Sequence, residues 1–235
     1  MLDRSPGATS IALALPSLLA LAMAASAQEH RHRDAAGAAR HEHHTTGQPA
    51  LLPGLGDWGH PITTRLTKAQ QFFDQGLRLT YAFKHDEAER SFREAARLDS
   101  TCAMCWWGVA YAAGPNINLP MTEDGEKRAF AAIRQAQRLA SGASEREQAY
   151  VNAMARRFGD PAGANRAARD SAYATAMRDV ASRWPDDIDA QVLYGDALLN
   201  LRPWNQWTVD GQPQPGTLEV IATLERALAK SPGTA

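Results

Sequence analysis

Cys102 and Cys105 are the chain's two cysteines, three residues apart in "LDSTCAMCWWGVAYAAGPN" and followed at once by Trp106 and Trp107. Four chemistries use such a pair. A c-type haem attachment needs histidine directly after the second cysteine, and Trp106 stands there, so haem is excluded. A thioredoxin-like redox pair needs a strand before it and a sheet around it, whereas the flanking pattern is helical on both sides; a helix N-terminus would still lower a thiol pKa. A zinc site needs two further ligands, and without a second cysteine pair His60 or His85 would have to come close in space. The remaining chemistry is a small-loop disulfide: cysteines at i and i+3 lie on one side of a helix start and close with little backbone movement. In an oxidising compartment that is the plain expectation, with Asp99 or Ser100 capping the helix.

A second candidate is the stretch "QEHRHRDAAGAARHEHHTTGQPALL", which holds His30, His32, His41, His43 and His44 without apolar periodicity. Neutral imidazoles on a mobile strand can wrap zinc or copper, although the run lacks the fixed spacing of structured sites. Its plainer role is a solvated linker, and residues 28–57 are expected to be a flexible tether. Catalytic signatures are missing: there is no glycine-rich phosphate loop, G-x-S-x-G elbow or H-E-x-x-H helix. Glu145 and Glu147 beside Arg146 read as a solvated helix start. The expectation is therefore a non-enzymatic protein without a cofactor, or a zinc- or copper-handling one if the tether is the working part.

The elements that position these residues begin after an export signal. Arg4 supplies a basic flank, Ile11 to Met23 is almost wholly apolar, and Ala25-Ser26-Ala27 has the small-x-small form that signal peptidase accepts. The apolar run is shorter than the ~20 residues that cross a bilayer. Residues 1–27 are thus expected to be cleaved, leaving a periplasmic or secreted product with no membrane span. With 25 basic and 26 acidic side chains the charge is balanced, and nothing asks for nucleic acid.

From residue 58 to 235 helical hairpins recur. In "AQQFFDQGLRLTYAFKHDEAERSFREAARLDS", Phe72, Gly76 and Leu79 share one helix face, and Ala88, Phe92 and Ala95 share a face of the next. Gly76, Ala88, Phe92 and Ala95 resemble the small-A-F-A pattern of the roughly 34-residue tetratricopeptide repeat. Trp106 and Ala110 take the tryptophan and small positions of a second unit, closed by Ala129, Ile133 and Ala136. Third and fourth units close at Pro185 and Pro232, the fourth opening with Gly195. The resemblance implies an all-α, right-handed TPR-like solenoid of about four hairpins whose extra length sits in the loops 114–121, 159–165 and 202–216.

"YAFKHDEAERSFREAARLDSTCAMCWWGVAYAAGPNIN", "SEREQAYVNAMARRF" and "LLNLRPWNQW" are similar to stretches of a group of exported bacterial tetratricopeptide-repeat proteins of poorly defined biochemical role. The resemblance covers Trp58 to the C-terminus and implies that this chain corresponds to the N-terminal part of longer members, which continue into further repeats with histidine-rich motifs. First helices line the concave face of such solenoids. Phe73, Tyr81, Trp107, Tyr111, Asp196 and Asn200, joined by Asn116 and Asn118 from one loop and Trp204 from another, are therefore expected to form a groove for a protein or peptide, with Trp106 in the core and Trp204 and Trp207 as a lid. The last helix, Thr217 to Lys230, carries Val220, Ile221, Leu224 and Leu228 with only Ser231 to Ala235 after it. Its outer face is expected to be uncovered, so that either the chain continues beyond Ala235 or this end mediates self-association.

Overall fold

Phe92 is fully buried between two glycines: a Cβ added to Gly76 would stand 2.8 Å from its ring, and one added to Gly108 would stand 2.3 Å away. One aromatic ring thus sets how closely three helices approach. The computed structural model describes residues 47–159 and 165–231. Among them the chain is all-helical: α1 (Thr67–Tyr81), α2 (His85–Leu98), α3 (Ala103–Ala112), α4 (Glu123–Leu139), α5 (Glu145–Arg157), α6 (Arg166–Arg183), α7 (Ile188–Asn200) and α8 (Thr217–Lys230). The expected signal peptide, the five tether histidines, most of the 159–165 loop and Pro232 lie outside the described residues.

Local sequence accounts for the helix boundaries. Thr122, Ser144, Asn165 and Asp187 each accept a backbone N–H at the start of α4, α5, α6 and α7, relieving amides that have no partner within the helix. Ser144 and Glu147 complete a reciprocal capping box, so Glu147 is a structural acid rather than a solvated one. At α3 the cap is neither Asp99 nor Ser100 but Cys102, whose sulfur accepts the Cys105 N–H at 3.0 Å. Asp99 instead binds Thr101 and Thr64.

Each helix packs on the next in sequence, and α3 also packs on both α1 and α5. The compact unit runs from Gln48 to Ala235, so it begins before the expected boundary at Trp58. The side chain of Gln75 explains this, bonding Leu52 N–H and the Ala50 carbonyl and thereby fixing the end of the expected linker on α1.

Of the two adjacent tryptophans, Trp107, expected at the groove, is the enclosed one, while Trp106 packs on the edge of the core. Trp107 is 1% exposed, stacked on Tyr111 at 5.3 Å and edge-on to Tyr150 at 5.7 Å, whereas Trp106 is half-buried. Successive residues on a helix point about 100° apart, and it is the Trp107 side of α3 that meets α5. Phe73 is also core, against Phe92. In the loop before α8, Trp204 and Trp207 are exposed, so neither forms a lid. On α8, Val220 packs inward and Leu224 abuts Gly195, while Leu218, Ile221 and Leu228 face solvent.

Candidate functional site

The segment before α1 crosses the first helices of three hairpins. Its backbone is held by side chains: His60 N–H donates to Asp74 and Ile62 N–H to Gln70, both on α1, and Arg78 of α1 donates to the Trp58 carbonyl. On α5, Arg146 donates to the Pro61 carbonyl, and Glu147 accepts from both the N–H and the hydroxyl of Thr63. On α7, Asp189 receives Trp58 Nε1 at 3.1 Å and His60 Nδ1 at 2.8 Å. Irregular backbone is tolerated at this depth because its polar groups are satisfied.

This strap forms one wall of a cavity of about 570 Å³. The other walls are the C-terminal end of α1 (Arg78, Tyr81), the end of α3 (Tyr111) with Asn116 beyond it, and the face of α7 that carries Asp189, Val192 and Asp196. Leu224 of α8 and Phe83 complete an apolar rim. Residues 189, 192 and 196 fall on one side of α7 because they are separated by three and four positions.

Of the expected groove residues, the structure brings Tyr81, Tyr111, Asn116 and Asp196 together on this cavity. Asn200 supports it from behind by donating to Asp196 Oδ1 at 2.9 Å. Phe73 and Trp107 are enclosed in the core and unavailable at a groove surface, and Asn118 and Trp204 are exposed and outside the lining. Asn116 turns its carbonyl onto the N–H groups of Asn118 and Leu119, while its amide meets His85 Nε2 at 3.1 Å.

Burial holds the polar lining in defined protonation states. It raises the Tyr81 hydroxyl well above its ordinary pKa, with Asp189 adding to the effect, so Tyr81 keeps its proton and donates a hydrogen bond to Asp189 Oδ1 at 2.6 Å. Burial likewise raises Tyr111, helped by Asp196. It also raises Asp196, against the opposing pull of Arg157 and of hydrogen bonds from Asn200 and Tyr111. His85 is lowered by burial, which favours its neutral form beside Asn116.

Cys102 and Cys105 form a disulfide, and both are buried away from this cavity, which removes thiolate ligation and free-thiol reactivity from the pair. His60 lies with Asp187 and Asp189, a grouping of the kind that can hold a metal ion. No protein-family model matches the chain, and no curated protein does. The chemistry of the cavity therefore carries the functional argument.

Sequence reasoning missed Trp58, Arg78 and Val192 as lining residues, and Asp187 and Asp189 as partners of His60. "PDDIDA" does signal a capped helix start at Asp187. Nothing local signals that His60, 129 residues before Asp189, will reach this helix start.

Proposed function

We propose that this chain is an exported, non-enzymatic scaffold that takes an extended peptide segment of another protein into the groove between α1, α3 and α7. One observation carries the reading: the groove combines an apolar rim with fixed polar groups, namely the neutral tyrosines Tyr81 and Tyr111, the Asp196 carboxyl and the Asn116 amide. Such a lining contacts side chains through its apolar surface and offers a peptide backbone N–H the oxygens of Tyr81, Tyr111 and Asp196 as acceptors. The architecture we propose is a TPR-like stack of four hairpins, α1/α2, α3/α4, α5/α6 and α7/α8. The pairing of successive helices and the Gly76–Phe92–Gly108 wedge support it. Export to a periplasmic or extracellular compartment is supported by the Cys102–Cys105 disulfide, since such bonds persist in oxidising surroundings.

Site-specific photo-crosslinking tests the reading. A photoreactive residue at Phe83, on the groove rim, is expected to capture a protein segment in the native envelope, whereas one at Arg138, which lines a separate surface hollow, is not. Equal capture from both positions, or capture from Arg138 alone, contradicts it.

A further inference from the structure

We propose that His60, Asp187 and Asp189 form a binding site for one divalent transition-metal ion, of which Zn²⁺ is the representative. The three side chains each offer a ligand atom, all within 4.8 Å of one another. His60 Nδ1 stands 2.8 Å from Asp189 Oδ2 and 3.9 Å from Asp187 Oδ1. Those separations bracket the roughly 3.3 Å between two donors of a tetrahedral zinc with bonds near 2.0 Å. An imidazole with two carboxylates is also a donor set that first-row divalent metals accept.

The second observation is an unmet polar need inside the cluster. The side chains of His60 and Asp187 are 5% and 4% exposed, and Asp187 Oδ2 has no partner at hydrogen-bond geometry among the described residues, the Tyr150 hydroxyl and Arg146 being its polar neighbours. Arg146 approaches Asp187 Oδ2 only to 3.5 Å, as an ion pair. Two buried carboxylates so close repel one another unless positive charge lies between them. A single imidazole has one Nδ1 proton to give, and its short contact is to Asp189; the ion would displace that proton to solvent, so that Nδ1 ligates through its lone pair. Buried polar atoms without partners call for a specific explanation, of which an ion is one.

The outer contacts are those of ligand carboxylates. Trp58 Nε1 and the Tyr81 hydroxyl both bind Asp189 Oδ1, turning Oδ2 toward His60. The Ala190 N–H binds Asp187 Oδ1, which fixes that carboxylate at the start of α7. Such outer hydrogen bonds orient ligands and raise metal affinity. The bound ion would tie the strap to α7.

The test uses the full chain with His30, His32, His41, His43 and His44 replaced by alanine, so that the tether cannot contribute imidazoles. After chelation and dialysis against Zn²⁺, elemental analysis should find one bound ion per chain, and Co²⁺ should give visible absorption bands of an N/O-coordinated site. His60→Ala should abolish both signals. Tyr81→Phe, which keeps the ring but removes the hydroxyl from Asp189, should weaken Zn²⁺ affinity about 10- to 100-fold. If His60→Ala does not fold, Asp187→Asn decides, with a comparable loss expected. Background zinc in the five-histidine variant, undiminished stoichiometry and Co²⁺ bands in Asp187→Asn, or an unchanged Zn²⁺ affinity in Tyr81→Phe, overturns the proposal.

Discussion

His60 Nδ1 and Asp189 Oδ2 meet at 2.8 Å although 129 residues separate them in sequence. This contact, with Trp58 and Tyr81 on the other oxygen of the same carboxylate, links the strap before α1 to the last hairpin. Asp189→Ala leaves buried His60 and the half-buried donors Trp58 and Tyr81 without their acceptor and should cost about 3–5 kcal/mol. Chemical denaturation measures the loss. Hydrogen exchange should show the amides of the 58–62 strap opening first, and uniform opening of all helices would contradict a local tie.

Gly108→Ala tests the packing of the first hairpins. Its new Cβ would stand 2.3 Å from the Phe92 ring, which is buried and cannot swing away. Such overpacking typically costs about 1–3 kcal/mol. Phe92→Ala alone should cost about 3–5 kcal/mol through the cavity it leaves. In the double variant the two costs should be less than additive, because the methyl enters space that the ring vacates; strict additivity would show the two residues uncoupled.

The disulfide is expected to be a modest staple. With a sequence separation of three, it removes little entropy from the unfolded chain, roughly 2 kcal/mol or less. Cys102 has a second role as helix cap, so Cys102→Ser with Cys105→Ala should be more stable than Cys102→Ala with Cys105→Ala by about 1 kcal/mol. Equal midpoints in urea would remove the capping role.

Glu147 predicts a pH dependence. Burial raises its pKa, but hydrogen bonds from Thr63 and Ser144 outweigh this and hold the carboxyl below its ordinary 4.5. A depressed folded-state pKa contributes stability above the unfolded value, and that contribution is lost as pH falls through the folded value. Glu147→Gln should therefore cost about 1.5–3 kcal/mol at pH 7. The difference from wild type should shrink as pH falls below 4.5. A deficit that does not change with pH would contradict a charge-dependent clamp.

The helices were legible in the sequence because apolar spacing and capping residues are local signals. Pro185, the expected close of the third unit, follows closely on the end of α6. The faces were harder to read. Trp106 and Trp107 are neighbours in a helix apolar on nearly all sides, so only the packing of α5 on α3 decides which one is enclosed. The site was half legible: Tyr81, Tyr111 and Asp196 could be placed from helix register, and Asn116 from the Gly-Pro stop that ends α3. The strap could not, because its bonds to Gln70, Asp74, Glu147 and Asp189 join distant positions without periodicity.

The most direct test of peptide binding in the groove is the affinity of a synthetic peptide matching the segment captured at Phe83. Val192 lines the groove on α7 without a hydrogen-bonding side chain, so Val192→Trp should fill the space while leaving the helices intact. The prediction is an affinity at least about tenfold weaker, a loss of about 1.4 kcal/mol, with an unchanged unfolding midpoint. Equal affinity for the wild type and the filled variant would contradict binding in this groove.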